Sequence, residues 1–310
     1  MAKNTLKISD LIKLVESNKN IYFETSAERK RLKKMIEQYS YLNVFSLKYL
    51  FSNGIMKSPL QNGSFQYTYQ YSYLTKYKIL EKQYQNLLKM ENKLREAVLM
   101  YETELKSHFT FFLEDFFGIE NINFLQFLNA LQIYNHSTRA LESLNLQHIE
   151  EEWKKSLDKS TNYKNYYDYY YLVIKVLSFG TIGKILDAEY KGKKVFSLFS
   201  NYLKRSNTFH IGKQIKELKT IVILRNSLCH KESFIIFLEK GVKKNQILKT
   251  STNFLQLRIN AVSKIYEYYE KTKHNKTKKL KQNCWIKDYK KYRLNNGKNG
   301  IYFKKIKIYL

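Results

Sequence analysis

At 310 residues and 37.3 kDa, with 44% hydrophobic residues, the chain can bury a sizeable core in one large domain or two modest ones, which excludes global disorder. It holds no run near the roughly 20 apolar residues that a membrane-spanning helix needs; the densest, residues 109–117, is cut by Glu114 and Asp115, and residues 234–238 are too few. Against 27 Asp and Glu stand 55 Lys and Arg, a formal net charge of +28 that points to a polyanionic partner, nucleic acid first and acidic lipid second.

The opening MAKNTLKISD lacks the apolar stretch of a secretory signal. Cys229 and Cys284 are the only cysteines and stand in no metal-ligand spacing, so a reducing, cytoplasmic address without disulfides is expected. Ten Gly and one Pro leave turn signals sparse, and the fold class expected is all-α. A first helix is predicted over residues 6–16, with Ser9 or Asp10 near its cap. Ser26 is followed three residues later by Arg29 rather than Glu, which implies a simple N-cap for a helix over 28–51. Its apolar face is Leu32, Met35, Ile36, Tyr39, Leu42 and Val44. Ser52-Asn53-Gly54 stops it, and 59–63 reads as loop. Residues 69–108 read as one long helix or two, with Leu87, Met90, Leu94, Val98, Tyr101 and Leu105 recurring at spacings of three and four. Breaks are expected at 115–118, Asn145 and 159–162. Beyond them come a helix over 166–177, a tight corner flanked by Gly180 and Gly183, and helices over 196–203 and 213–237. No internal repeat or sustained heptad is present. The resulting division is an N-terminal helical segment, 1–68, a helical domain, 69–270, and a basic tail, 271–310.

Within the predicted helix over 213–237 lies Arg225-Asn226-Ser227-Leu228-Cys229-His230. Ile221, Leu224 and Leu228 form its core stripe, while Asn226 and His230, at i and i+4, stack on the opposite face. Arg225 stands about 140° around from His230 at roughly 100° per residue, so its long side chain must bend to share a site with the imidazole. Such a set suits RNA cleavage by 2′-OH attack. An imidazole, whose ordinary pKa is about 6.5, can take the 2′-OH proton and return one to the 5′-oxygen. A guanidinium stabilises the charge that develops on the phosphoryl oxygens, and an amide orients the groups. This chemistry requires neither metal nor cofactor. As a bare Arg-x4-His the pattern is common by chance, and a lone helical His is more often a surface or satisfied core residue.

The context ILRNSLCH resembles the signature of HEPN ribonucleases, Arg-[Asn/Asp/His]-x3-His. The chain is also similar to the Abi-like family of abortive-infection proteins, the AbiD/AbiF group. The resemblance rests on four blocks in order over roughly residues 30–240. They are the tyrosine-rich YSYLNVFSLKYLF, the Glu-x2-Leu-Lys of YETELK (Glu102, Leu105, Lys106), the hydrophobic-Ser-Phe-Gly of VLSFGTIGKIL, and the Arg-Asn…His helix. Many members carry Ala-His and a further basic residue where this chain has Cys229-His230 and then Lys231-Glu232; the residues after Gly241 match no block. The resemblance implies a HEPN-like helical bundle with additional N-terminal helices, and a metal-independent endoribonuclease of phage defence. It further implies a homodimer in which two Arg/His helices face each other, with association to a structured non-coding RNA. Carried over, Arg225 clamps the scissile phosphate, His230 transfers protons and Asn226 orients them. Glu102 and Lys106 would hold Arg225 and the phosphate respectively, unless they form only an ordinary i,i+4 pair.

Residues 271–310 hold 14 Lys and Arg against the single Asp288, so they alone carry +13. The segment is expected to be a partly ordered, RNA-contacting appendage, and its closing IYFKKIKIYL alternates like a strand or hairpin edge. Cations interleaved with rings suit RNA: Lys276, Lys278, Lys279, Lys281, Trp285, Lys287, Tyr289, Lys290, Lys291 and Arg293. A lysine run is otherwise a solvated face. Six Tyr between 163 and 171 reflect AT-rich codon usage and helix packing better than base stacking. His108, His136, His148, His210 and His274 share no ligand spacing, so no metal site is expected. Two other readings remain: a non-catalytic module that holds a structured RNA, and a toxin silenced by a protein antitoxin.

Overall fold

The computed structural model describes residues 7–46, 54–59, 65–70, 75–117, 124–135, 137–145, 147, 149, 151–152, 170–206, 209, 211–212, 214–247, 252–273, 289–293 and 299–303. The described chain is predominantly helical, with short strands between the helices. It divides into two compact units. The first comprises Met1–Leu94, Ser227–Ile259 and His274–Leu310, the second Arg95–Asn226 and Asn260–Lys273.

The first unit opens with α1 (Ile8–Lys19), β1 (Ile21–Tyr22), α2 (Ser26–Tyr39) and α3 (Tyr41–Val44). The cap of α2 is Thr25, not Ser26: its hydroxyl accepts from the Glu28 amide at 3.3 Å, and the Glu28 carboxylate accepts from the Glu24 amide at 2.7 Å. The cap is thus one residue earlier than expected, and the Glu28 carboxylate reaches back past it to the preceding amide, a variant of the capping box, in which that carboxylate would take the cap's own N–H. The helix expected over 28–51 breaks at Ser40, whose φ of +68° leaves the helical region. Gly54, read as a stop, and part of the expected loop instead form β2 (Gly54–Pro59), paired antiparallel with β3 (Phe65–Gln70). Pro59 sits at the end of that two-stranded ribbon, where its missing N–H disrupts nothing further. A parallel bridge joins β1 to β4 (Thr75–Lys76) and is closed by the Lys76–Glu24 ion pair at 2.7 Å.

A single helix, α4 (Tyr77–Phe117), follows, and it runs through the break expected at 115–118. Its first half packs Tyr77, Leu80, Tyr84, Leu87, Met90 and Leu94 in the first unit's core. The same unit takes α10 (Phe234–Ile247) and the start of α11 (Phe254–Lys273). Arg258 of α11 donates to the Phe237 carbonyl and lies over the Phe237 ring at 4.5 Å. The closing run begins as β10 (Asn299–Phe303), paired antiparallel with β9 (Tyr289–Arg293).

The second unit holds the rest of α4 with α5 (Phe124–Asn129), α6 (Tyr170–Val176), α7 (Phe179–Asp187), α8 (Val195–Ser206) and α9 (Ile215–Cys229). Val98, Leu105, Phe109 and Leu113 of α4 are buried with Phe179, Ile182, Phe199, Leu218, Ile221 and Leu224. Between the helices, β5 (Leu131–Asn135), β6 (Ala140–Ser143), β7 (Glu189–Tyr190) and β8 (Lys193–Lys194) form an antiparallel sheet in the order β6-β5-β7-β8. The all-α expectation thus holds for the bulk of the chain but not for these connections. The corner expected at Gly180 and Gly183 is the body of α7. Ser178 caps it by accepting from the Thr181 amide, and Gly183 brings the backbone to 3.5 Å from Val222 of α9 at the position a Cβ would take.

At Gly241, α10 and α11 come close together. A Cβ there would fall 2.7 Å from Arg258 Cδ, 3.1 Å from Leu255 Cα and 3.2 Å from the Phe254 carbonyl. The last two are backbone atoms that cannot rotate away. Gly241→Ala is expected to lower stability by about 1–3 kcal/mol, overpacking outweighing the better helix propensity of Ala, as read from the urea denaturation midpoint. An unchanged or higher midpoint would show that the two helices can separate freely.

Candidate active site

In the second unit, α4 and α9 bring together residues 123 apart in sequence. Arg225 Nε donates to Glu102 Oε2 at 2.8 Å, and Lys106 Nζ meets Glu102 Oε1 at 2.9 Å. Glu102 and Lys106 are one helical turn apart on α4, so one carboxylate serves two cations, one on each oxygen. It is 8% exposed, against 26% for Arg225 and 15% for Lys106, so the pairs are shielded from water on most sides. Arg225 Nη1 donates to Asn226 Oδ1 at 3.3 Å, and Nη2 has no partner among the described residues. Asn226 is exposed. The ion pair therefore fixes the guanidinium by its inner edge and leaves its outer edge for an anion.

His230 belongs to the first unit. The helix expected over 213–237 is two, and His230 lies at the end of α9 rather than within a helix. Glu232 N donates to the Ser227 carbonyl at 2.8 Å and Lys231 N to the Leu228 carbonyl at 3.2 Å, with Lys231 left-handed at φ +57°. These two bonds and that dihedral make a Schellman motif in which His230 is the C-cap. Its side chain is exposed and takes no hydrogen bond or ion pair among the described residues. The turn is clamped: Asn43 Nδ2 donates to the Lys231 carbonyl at 2.7 Å, and Asn43 Oδ1 accepts from Ser233 N at 3.2 Å. Glu91 Oε1 accepts from Phe234 N at 2.8 Å, and Glu232 takes the Ser227 hydroxyl and Lys240. Burial alone would raise the Glu232 carboxyl, but hydrogen bonds from Lys240 and then Ser227 hold it below its ordinary range.

Sequence reasoning missed Asn43, Glu91 and Glu232. Asn43 and Glu91 reach their partners from 188 and 143 residues away, and no local pattern marks them.

Of the tail residues, Lys276, Lys278, Lys279, Lys281, Trp285 and Lys287 lie outside the described residues. Tyr289, Lys290, Lys291 and Arg293 belong to β9. His136, His148, His210, His274 and most of the tyrosine cluster also fall outside the described residues. His108 stacks on Phe209 at 5.3 Å and faces Glu104 at 3.6 Å. In the same unit Gly212, at φ +104°, lets Glu217 and Lys264 close over its Cα, and burial pushes the Lys264 amine down to about 8. Among the described residues no three His, Cys, Asp or Glu are grouped to hold a metal ion, and no helix is long and apolar enough to cross a membrane.

Glu102→Ala should leave Arg225 and Lys106 facing each other without their shared carboxylate. A loss of about 2–3 kcal/mol in denaturant stability is expected, because a largely buried pair broken on one side strands its charge. Glu102→Gln, which keeps the shape, should lose less. Equal stability of all three proteins would show that the carboxylate is only a solvated surface group.

No protein-family model, curated protein or solved structure matches the chain.

Proposed function

We propose that the protein is a metal-independent, HEPN-type endoribonuclease of abortive infection, cutting RNA by 2′-OH attack at a site shared by two copies of the chain. The observation that carries this reading is the Glu102-held Arg225 of the second unit, five residues before His230 in the sequence, with Lys106 on the same carboxylate. A guanidinium fixed along one edge is preorganised for phosphoryl oxygens and loses little freedom on meeting them. Lys106 adds a second positive charge to the same anion site. Asn226 presents an exposed amide beside Arg225 to orient the reacting groups. His230 acts as the proton carrier, free of any competing hydrogen bond among the described residues and held by a turn that Asn43 clamps. A general base takes the 2′-OH proton, the 2′-oxygen attacks phosphorus, and the 5′-oxygen leaves with a proton from a general acid. Two chains supply two imidazoles, which would let one act as base while the other acts as acid. Leu99 and Ile223, 41% and 45% exposed on the helices that carry Glu102 and Arg225, offer apolar surface for the second copy. A structured non-coding RNA would act as regulator.

His230→Ala should abolish cleavage of a labelled RNA, with a rate loss of about 10²–10⁴, while leaving the fold and RNA affinity near wild type. Cleavage should survive EDTA, leave a 2′,3′-cyclic phosphate opposite a 5′-hydroxyl, and stop when the scissile nucleotide is 2′-deoxy. Obligatory magnesium, or cutting of the deoxy substrate, would overturn the mechanism. RNA that binds but is never cut would favour a holding module instead.

Sedimentation of the intact protein at micromolar concentration should give a two-fold dimer. A monomer that cleaves at full rate would contradict the shared site.

A further inference from the structure

The net charge is divided unevenly between the two units. The first contains 34 Lys and Arg against 10 Asp and Glu, a charge of +24; the second contains 21 against 17, a charge of +4. A few of the first unit's basic side chains are paired locally. On α2, Arg29 pairs with Glu16, Arg31 with Glu81 and Lys33 with Glu37. The first half of α4 differs. Lys78, Lys82, Lys89 and Lys93 are all exposed, and none is hydrogen-bonded or ion-paired among the described residues. Lys78 has one carboxylate nearby, Glu24, which is held below its ordinary range first by Lys76 and less by Lys78.

At about 100° per residue the four lysines fall within about 60° of arc, and the stripe runs for about 22 Å along the helix. Gln85 and Asn92, both exposed, fall on the same side and interrupt it with neutral amides. The two carboxylates of this half-helix are turned away: Glu81 meets Arg31 of α2, and the buried Glu91 caps α10. Lys78 with Lys82, and Lys89 with Lys93, are like-charged i,i+4 pairs, which are unfavourable in the free helix. An extended polyanion laid along the stripe relieves both pairs at once and releases its own counterions.

We infer that the lysine stripe of α4 is an RNA-docking surface, gripping the phosphodiester backbone through Lys78, Lys82, Lys89 and Lys93 without reading sequence. None of the four lysines is among the residues assigned to cleavage, and the inference stands whether or not the protein cuts RNA. Single-stranded RNA is favoured over a membrane because the four charges form a narrow line. Of the exposed large apolar side chains of α4 in this unit, only Ile79 stands near the stripe to enter an acyl layer.

The test uses the full chain and a fluorescent 2′-O-methyl RNA 20-mer, which has no 2′-OH to attack, so binding is read apart from cleavage. Anisotropy titrations across a salt series should give a steep slope for wild type. Changing all four stripe lysines to Gln should reduce that slope by about 3, at about 0.7 per lost phosphate contact on a single strand, and weaken binding at least tenfold at fixed salt. Changing them to Arg should keep binding within twofold. A control with the same loss of charge in the second unit, Lys184, Lys193, Lys204 and Lys216 to Gln, should also stay within twofold. If the fourfold Gln variant does not fold by circular dichroism, the two paired variants, Lys78→Gln/Lys82→Gln and Lys89→Gln/Lys93→Gln, should each lose about half of that slope. Binding unchanged in the stripe variants, or lowered equally in the control, would overturn the proposal. So would a loss confined to phosphatidylserine vesicles.

Discussion

A carboxylate removed from water must be repaid by opposite charge at close range, and Glu102 meets that demand twice. Each oxygen has its own cation, one supplied from its own helix and one from α9. The local term was available from the i,i+4 spacing alone; the long-range term joins residues 123 apart and so constrains where α9 can lie against α4 within its unit. Leu105, Phe109, Leu218, Ile221 and Leu224 are all buried in the second unit, but apolar burial by itself tolerates sliding. The charged pair does not, because a shift of one turn would strand a buried carboxylate. It also gives Arg225 a fixed inner edge and an open outer one, the property on which any anion chemistry there depends.

The end of α9 is set by a different kind of constraint. A Schellman turn normally ends on glycine, and here the left-handed position is Lys231. The strain that a side chain brings to that conformation is held by bonds from outside the turn, chiefly the two made by Asn43. The C-cap position is what leaves the His230 imidazole outward and uncommitted, whereas continued helix would have carried it into a regular exposed face. Nothing in the local sequence marks this stop, since no Gly or Pro stands near it.

Charge follows yet another logic. A formal charge of +28 destabilises any compact state through self-repulsion, and the fold limits the cost by pairing what it can. Arg29, Arg31, Lys76, Lys106, Lys194, Lys219, Arg225 and Lys240 all find carboxylates. Lysines left over are therefore informative in a way that their number is not. The residues with open charge on α4 lie in one unit, while Glu102, Lys106 and Arg225 lie in the other.

Composition and periodicity determined the helical character, the apolar stripe of α4 from Leu87 to Leu105, the core stripe of α9, and the spacing that puts Glu102 one turn from Lys106. These features are local, and a 3.6-residue period records them directly. The same logic failed where burial is slight. Strand β6 is exposed along its whole length, so no alternation announced it, and β7 and β8 are only two residues each. The cap of α2 falls one residue before the expected one because Thr25 and Ser26 are equally able to serve, and only the bond from the Glu28 amide to the Thr25 hydroxyl decides between them. The tertiary structure alone decided that Glu102 reaches Arg225, that Asn43 holds the turn after His230, and that α9 stops at Cys229. Each depends on a partner more than a hundred residues away, a distance over which no sequence period carries information.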